Sequence, residues 1–145
     1  MKKTLIFGLV SILLLPLLMI GCNTEENKTI ELTLDDFTAQ NNIVKNVELA
    51  PSGTLTVSLG ANPTTGYEWG ENAVISGTSV ITQQSYNYNE PQSESSEPVV
   101  GAAGKAVWVF DSKAAGTATI KMSYGRPWEA GEKGTFTLTI NVTVK

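Results

Sequence analysis

Between Thr135 and Val144 the chain reads Thr-Phe-Thr-Leu-Thr-Ile-Asn-Val-Thr-Val. Phe136, Leu138, Ile140, Val142 and Val144 fall on one side of a period of two, and Thr135, Thr137, Thr139, Asn141 and Thr143 on the other. A β-strand sends successive side chains to opposite faces, so this pattern predicts a strand with one buried face. The same period recurs upstream. Ala118, Ile120, Met122 and Tyr124 alternate with Thr117, Thr119, Lys121 and Ser123, and Leu55, Val57 and Leu59 alternate with Thr54, Thr56 and Ser58.

Ala106-Val107-Trp108-Val109-Phe110 is apolar on both sides and predicts a central strand. Shorter candidates are Ile30–Leu34, Ile43–Leu49, Tyr67–Trp69 and Ser79–Tyr86. No window holds a helical period, and residues 35–41 suit at most one turn of helix. Pro and Gly separate the segments at Pro51-Ser52-Gly53, Ala61 to Gly66, Ala115-Gly116 and Gly125 to Gly134. The expectation is an all-β chain, a β-sandwich of immunoglobulin-like size with seven to eight strands. Asn87 to Pro98, with three Glu and three Ser and no apolar anchor, reads as a long mobile loop. Trp69 and Trp108, each beside apolar neighbours, are assigned to the core.

Composition narrows the function. The 145 residues suffice for one domain. The chain has no histidine, which removes the usual general base of Ser-His and Cys-His catalysis and the commonest zinc ligand. No metal site or cofactor is expected. Net charge is −4, and no basic cluster occurs beyond the extreme N-terminus, so nucleic acid is not an expected partner. Asp35-Asp36 is an adjacent acidic pair that reads as solvated charge in a turn, and Glu129 has no identifiable catalytic partner.

The N-terminus is laid out as a targeting segment. Lys2 and Lys3 precede an apolar run from Leu5 to Ile20, which ends in Gly21-Cys22. Leu18-Met19-Ile20-Gly21-Cys22 resembles a bacterial lipoprotein signal, in which a lipid is attached to the Cys and cleavage falls just before it. The alternative is an ordinary signal peptide with an incidental Cys. Cys22 is the only cysteine in the chain, so an internal disulfide is excluded. Acyl chains stabilise membrane attachment by roughly 0.8 kcal/mol per buried CH₂. The resulting division is residues 1–21 as signal peptide, 22–28 as a tether and 29–145 as the domain. The expected location is extracytoplasmic and lipid-anchored through Cys22. Losing Lys2 and Lys3 leaves eight basic residues against 14 acidic ones, a net charge of −6.

Three inter-strand segments differ from the rest. The first is Asn62-Pro63-Thr64-Thr65-Gly66-Tyr67. Pro63 fixes its own φ and pushes Asn62 towards extended geometry. Gly66 permits a positive φ. Two small, stiff threonines lie between them. Such a loop loses little entropy on docking, although a plain turn is the alternative. The second is Gly101-Ala102-Ala103-Gly104, whose small side chains let backbone approach a partner, or which is an ordinary linker. The third is Arg126-Pro127-Trp128, with a loop Trp and Arg of interface composition. Its alternative is a Trp folded back on its own sandwich.

Taken in order and spacing, the three motifs resemble the chagasin family of cysteine peptidase inhibitors. The similarity runs over residues 49–145, and includes Lys113-Ala114-Ala115-Gly116-Thr117 and Ser123-Tyr124. The resemblance implies an immunoglobulin-like sandwich with the three loops at one end. They would form a wedge that blocks papain-like cysteine proteases reversibly and without covalent chemistry. Carried over, Thr64 and Thr65 would approach the catalytic Cys and His of the target. Gly101 to Gly104 would line one side of the cleft, and Arg126 and Trp128 the other. Tyr67 would support the first loop from beneath. The family's middle loop is usually Gly-x-Gly-Gly, so Ala103 carries strain if that position requires a positive φ. The inhibitor is expected to be a monomer and not an enzyme. A surface adhesion or carbohydrate-binding module is the rival reading, since exposed Trp and Tyr also stack on sugars.

Overall fold

The computed structural model describes residues 26–91, 101–128 and 130–145. Cys22, the 1–21 segment and most of the expected tether lie outside these residues. So do residues 92–98 of the expected loop, and Glu129.

Nine strands are present among the described residues: β1 Asn27–Leu32, β2 Asn42–Leu49, β3 Thr54–Ala61, β4 Glu68–Trp69, β5 Val74–Ser76, β6 Ile81–Asn89, β7 Gly104–Ser112, β8 Gly116–Gly125 and β9 Phe136–Val144. One helix, α1 Leu34–Ala39, and a single 3₁₀ turn, Pro63–Thr65, complete the order. One sheet runs β1-β3-β7-β6 and the other β2-β9-β8-β4, with β5 also pairing β8. β1 pairs β3 in parallel and β2 pairs β9 in parallel, while the remaining pairs are antiparallel. The architecture is an all-β sandwich of the immunoglobulin-like kind.

The period-two sequences bury the faces expected of them. Leu55, Val57 and Leu59 of β3 face Leu138, Ile140 and Val142 of β9 in one core, all at most 1% exposed. β7 is an inner strand, with Trp108 and Phe110 fully buried. Trp69 and Trp108 are core residues and meet edge to face, their ring centroids 6.4 Å apart. Each indole N–H finds a carbonyl: Trp69 Nε1 donates to Gly60 O, and Trp108 Nε1 to Glu71 O, both at 2.9 Å. A buried Trp is thereby satisfied at both its apolar and its polar end.

Several boundaries differ from the sequence expectation. β1 begins at Asn27 and ends at Leu32, so Asn27 and Lys28 pair with Thr54 and Leu55 and are not tether. Leu34 belongs to α1, because Thr33 caps that helix. The Asp36 carboxylate accepts from Thr33 N–H at 2.7 Å and from its hydroxyl at 2.8 Å. α1 also places Phe37, fully buried, against Trp69 and Phe136. β6 runs three residues past Tyr86. Asn87, Tyr88 and Asn89, expected in the loop, pair with Val107, Ala106 and Lys105. The edge position of β6 leaves Asn87 and Asn89 in solvent while Tyr88 packs inward, which hides the strand in a polar stretch. β5, only three residues long, raises the count to nine.

Candidate functional site

Register brings the three singled-out segments together. β3 ends at Ala61, opposite Gly104, where β7 begins. β8 ends at Gly125, opposite Glu68, where β4 begins. The first loop therefore leaves β3 beside the point where the second loop joins β7. It enters β4 beside the point where the third loop leaves β8. All three lie at one end of the sandwich, the first bridging the two sheets.

The first loop is built around Asn62. Thr65 N–H donates to Asn62 O at 3.1 Å and Gly66 N–H to Pro63 O at 2.9 Å, closing the 3₁₀ turn. The Thr65 hydroxyl donates to Asn62 O at 2.7 Å, and the Thr64 hydroxyl to Asn62 Oδ1 at 2.6 Å. Asn62 itself is extended in φ, at −133°, as Pro63 requires. Gly66 sits at φ 78°, ψ 5°, the left-handed geometry expected of it. Pro63, Thr64 and Thr65 are exposed at the tip, with both hydroxyls tied back into the loop.

A floor of aromatic rings supports this tip. Tyr67 stacks on Tyr124 at 5.9 Å, and Tyr124 on Phe136 at 5.7 Å with planes 6° apart. Tyr124 Oη accepts from Asn62 N–H at 3.3 Å. Tyr67 is half-buried beneath the loop, as expected of a support.

The second loop is joined to the first by Asn62 Nδ2, which donates to Gly101 O at 2.9 Å. Gly101 has φ 85°. Gly104 is buried, and a Cβ there would overlap the Asn89 carbonyl and the Tyr88 ring. Two glycines are thus required for two different reasons. Ala103 is exposed, and among the described non-glycine residues only Ser52 has a positive φ. Ala103 therefore carries no left-handed strain, and its departure from the family pattern costs nothing in backbone geometry.

The third loop packs against the first through Trp128, whose six-membered ring lies over Gly66. The Arg126 guanidinium stacks over Tyr67, 4.6 Å from its centroid, and lies 5.5 Å from that of Trp128. Arg126 is half-buried and turned to its own protein, whereas Trp128 is 48% exposed. The loop closes on itself through Arg126 N–H to Glu132 O, 2.6 Å, and Gly131 N–H to Trp128 O, 2.9 Å. Tyr67 Oη donates to Glu132 Oε2 at 2.7 Å, which holds the phenol above its ordinary pKa, with burial adding to the shift. Glu132, Lys133 and Tyr124 were not foreseen as parts of this end. Nothing in the sequence sets the first two apart from other loop charges, and Tyr124 is one more position in the apolar alternation of β8.

Residues 48–140 match the chagasin family peptidase inhibitor I42. Among solved structures, the cysteine protease inhibitor EhICP2 from Entamoeba histolytica superposes with a TM-score of 0.61 at 24% identity. That comparison covers 82% of this chain and 97% of the other. PbICP-C, solved in complex with falcipain-2, superposes with a TM-score of 0.59 at 19% identity, covering 81% and 99%. At these identities the structural likeness establishes the shared fold. No curated protein matches the chain.

Proposed function

The chain belongs to the chagasin family of peptidase inhibitors and is not an enzyme, and from that premise we propose that its three joined loops act as one wedge in the active-site cleft of papain-type cysteine proteases. The observation that carries this reading is the continuity of the loop end. Asn62 bonds to Gly101, and Trp128 covers Gly66, so the tips form one surface before any partner arrives. Preorganisation lowers the ordering cost of association. An interface of about 800 Å² per partner is typical of protease–inhibitor pairs.

In this reading Thr64 and Thr65 stand at the leading edge, with Gly101 to Gly104 on one flank and Trp128 on the other. Pro63 and the hydroxyl ties of the first loop disfavour the extended conformation that a scissile peptide adopts. Inhibition is then competitive, reversible and non-covalent, by a monomer.

The sequence reading of Cys22 as a lipid site fits this geometry. β1 starts at Asn27, opposite Thr54, whereas β3 runs on to Ala61 and the first loop. The chain thus enters the sandwich at the end remote from the wedge, about 25 Å away along β3. A lipid on Cys22 would hold the domain to an extracytoplasmic membrane surface and leave the wedge facing outward.

The deciding experiment titrates the purified protein into papain, a calpain-type protease and a serine protease. Inhibition of papain at nanomolar to micromolar concentration, reversed on dilution, is expected. Full papain activity at micromolar inhibitor refutes the wedge, and glycan binding without inhibition would favour the adhesion reading. Metabolic labelling with a radioactive fatty acid tests Cys22, and Cys22→Ser should abolish incorporation.

A further inference from the structure

Lys133 has an unusual assignment for an exposed lysine. Its ammonium donates to two backbone carbonyls, Arg126 O at 2.7 Å and Trp128 O at 2.6 Å. Pro127 lies between the two residues, and its fixed φ removes one of the backbone rotations that separate their carbonyls. A lysine carries three rotatable donors on a compact charge, which suits two converging carbonyls. The neighbouring residue works in a second direction, since the Glu132 carboxylate accepts from Tyr67 of the first loop. Glu132 ties the third loop to the first, and Lys133 ties the two ends of the Arg-Pro-Trp tip to each other.

We infer that Lys133 is a positioning residue: by bonding the Arg126 and Trp128 carbonyls it fixes, in the free protein, the direction in which the Trp128 indole stands. Its value for affinity rests on the reading of Trp128 as a protease contact, but its effect on the free loop does not. Without the clasp, the two carbonyls turn to water. The base of the loop is still held by Arg126 N–H to Glu132 O and by the Arg126 guanidinium on Tyr67, but Trp128 itself keeps only the Gly131 N–H to its carbonyl, its packing on Gly66 and the nearby Arg126 guanidinium. Trp128 would sample several directions, and a partner would have to select one of them.

The chain's own tryptophans supply the probe. Trp69 and Trp108 are 1% and 0% exposed and Trp128 is 48% exposed, so collisional quenching by acrylamide reports on Trp128. Lys133→Met should raise the quenching constant and lower the steady-state anisotropy on red-edge excitation, and Lys133→Arg, which restores two donors, should return both towards the parent. Papain affinity should fall about tenfold in Lys133→Met, the loss expected for freeing a contact residue that was held in place. In a Trp128→Ala background the same substitution should change affinity less than about twofold. Unchanged quenching and anisotropy in Lys133→Met overturn the inference. So does an undiminished tenfold loss in the Trp128→Ala background, because the lysine would then act directly or through the scaffold. Should the parent protein not inhibit papain at all, the wedge reading falls, and the fluorescence arm alone decides the role of Lys133.

Discussion

Gly66 lies directly beneath the indole of Trp128: a Cβ at residue 66 would stand 2.8 Å from Cη2 and 3.4 Å from Cζ3 of that ring. The glycine therefore meets two demands at once, a left-handed φ of 78° and contact with a neighbouring loop. Gly66→Ala should cost about 1–2 kcal/mol in backbone strain. It should also push Trp128 off its seat. Thermal denaturation should show a lower Tm, and inhibition of papain should weaken further than the lost stability explains. A variant with parental Tm and parental inhibition would mean that the indole is free to move aside.

Trp128→Ala separates contact from scaffold. The side chain is half-exposed and covers a loop, so its removal leaves no core cavity, and stability should change by no more than about 0.5 kcal/mol. Affinity for papain should fall by about 2–4 kcal/mol, the range for a truncated aromatic hot spot. Most of the change should appear as faster dissociation in surface-binding kinetics. A lower Tm with unchanged inhibition would assign Trp128 to the scaffold.

How much of this was readable in advance follows from the distance over which each feature is determined. β9 was legible because its alternation is local and one face is buried against the other sheet. Trp69 and Trp108 were legible from the apolar residues beside them in sequence. Gly66 was legible from the turn chemistry of its own loop. The end of β6 was not, because Tyr88 turns inward between two exposed asparagines on an edge strand. Nor was the short β5, which three residues cannot announce. The clustering of the loops depends on pairings such as Ala61 with Gly104, set by strand register and not by any nearby residue. Arg126 was expected to face a partner, but its guanidinium stacks on Tyr67, a contact that only the folded chain creates. Glu132 and Lys133 carry charges that look solvated in sequence and acquire partners only when the loop closes.

Ser112 offers a control at the other end of the sandwich. It is 3% exposed, its hydroxyl lies within 2.8–3.0 Å of Ala50 O and Gly53 O, and it accepts from Gly53 N–H at 2.8 Å. Ser112→Ala removes these bonds and should cost about 1–2 kcal/mol in chemical denaturation. Inhibition of papain below the unfolding transition should remain at the parental level. Weaker inhibition by the folded variant would show that the two ends of the sandwich are coupled.

Asp36 predicts an acid-sensitive component of stability. Its carboxylate accepts hydrogen bonds from Thr33, the backbone N–H contributing most, and its pKa is held below the ordinary aspartate value. A depressed folded-state pKa stabilises the fold above the unfolded value, about 3.9, and that contribution is lost as pH falls through the folded value. Asp36→Asn should therefore lower stability at neutral pH and flatten its decline between about pH 5 and pH 2. Parallel pH profiles for the two proteins would mean that the capping box is not formed in solution.

The bond from Asn62 to Gly101 is the one direct hydrogen bond between the first two tips among the described residues, and Asn62→Asp isolates it. The substitution preserves size and keeps an acceptor for the Thr64 hydroxyl, which now lies 2.6 Å from Oδ1. It removes the donor and sets a carboxylate against the Gly101 carbonyl. The first loop should keep its 3₁₀ turn, since that turn is held by backbone bonds and the Thr65 hydroxyl. The third loop should be untouched, because its ties run to Gly66 and Tyr67. Acrylamide quenching of Trp128 should therefore match the parent. Papain inhibition should weaken by roughly tenfold, the effect of losing one hydrogen bond of about 1–1.5 kcal/mol. If Asn62→Asp inhibits as well as the parent, the second loop contributes independently of the first, and the tips do not act as a single preformed surface.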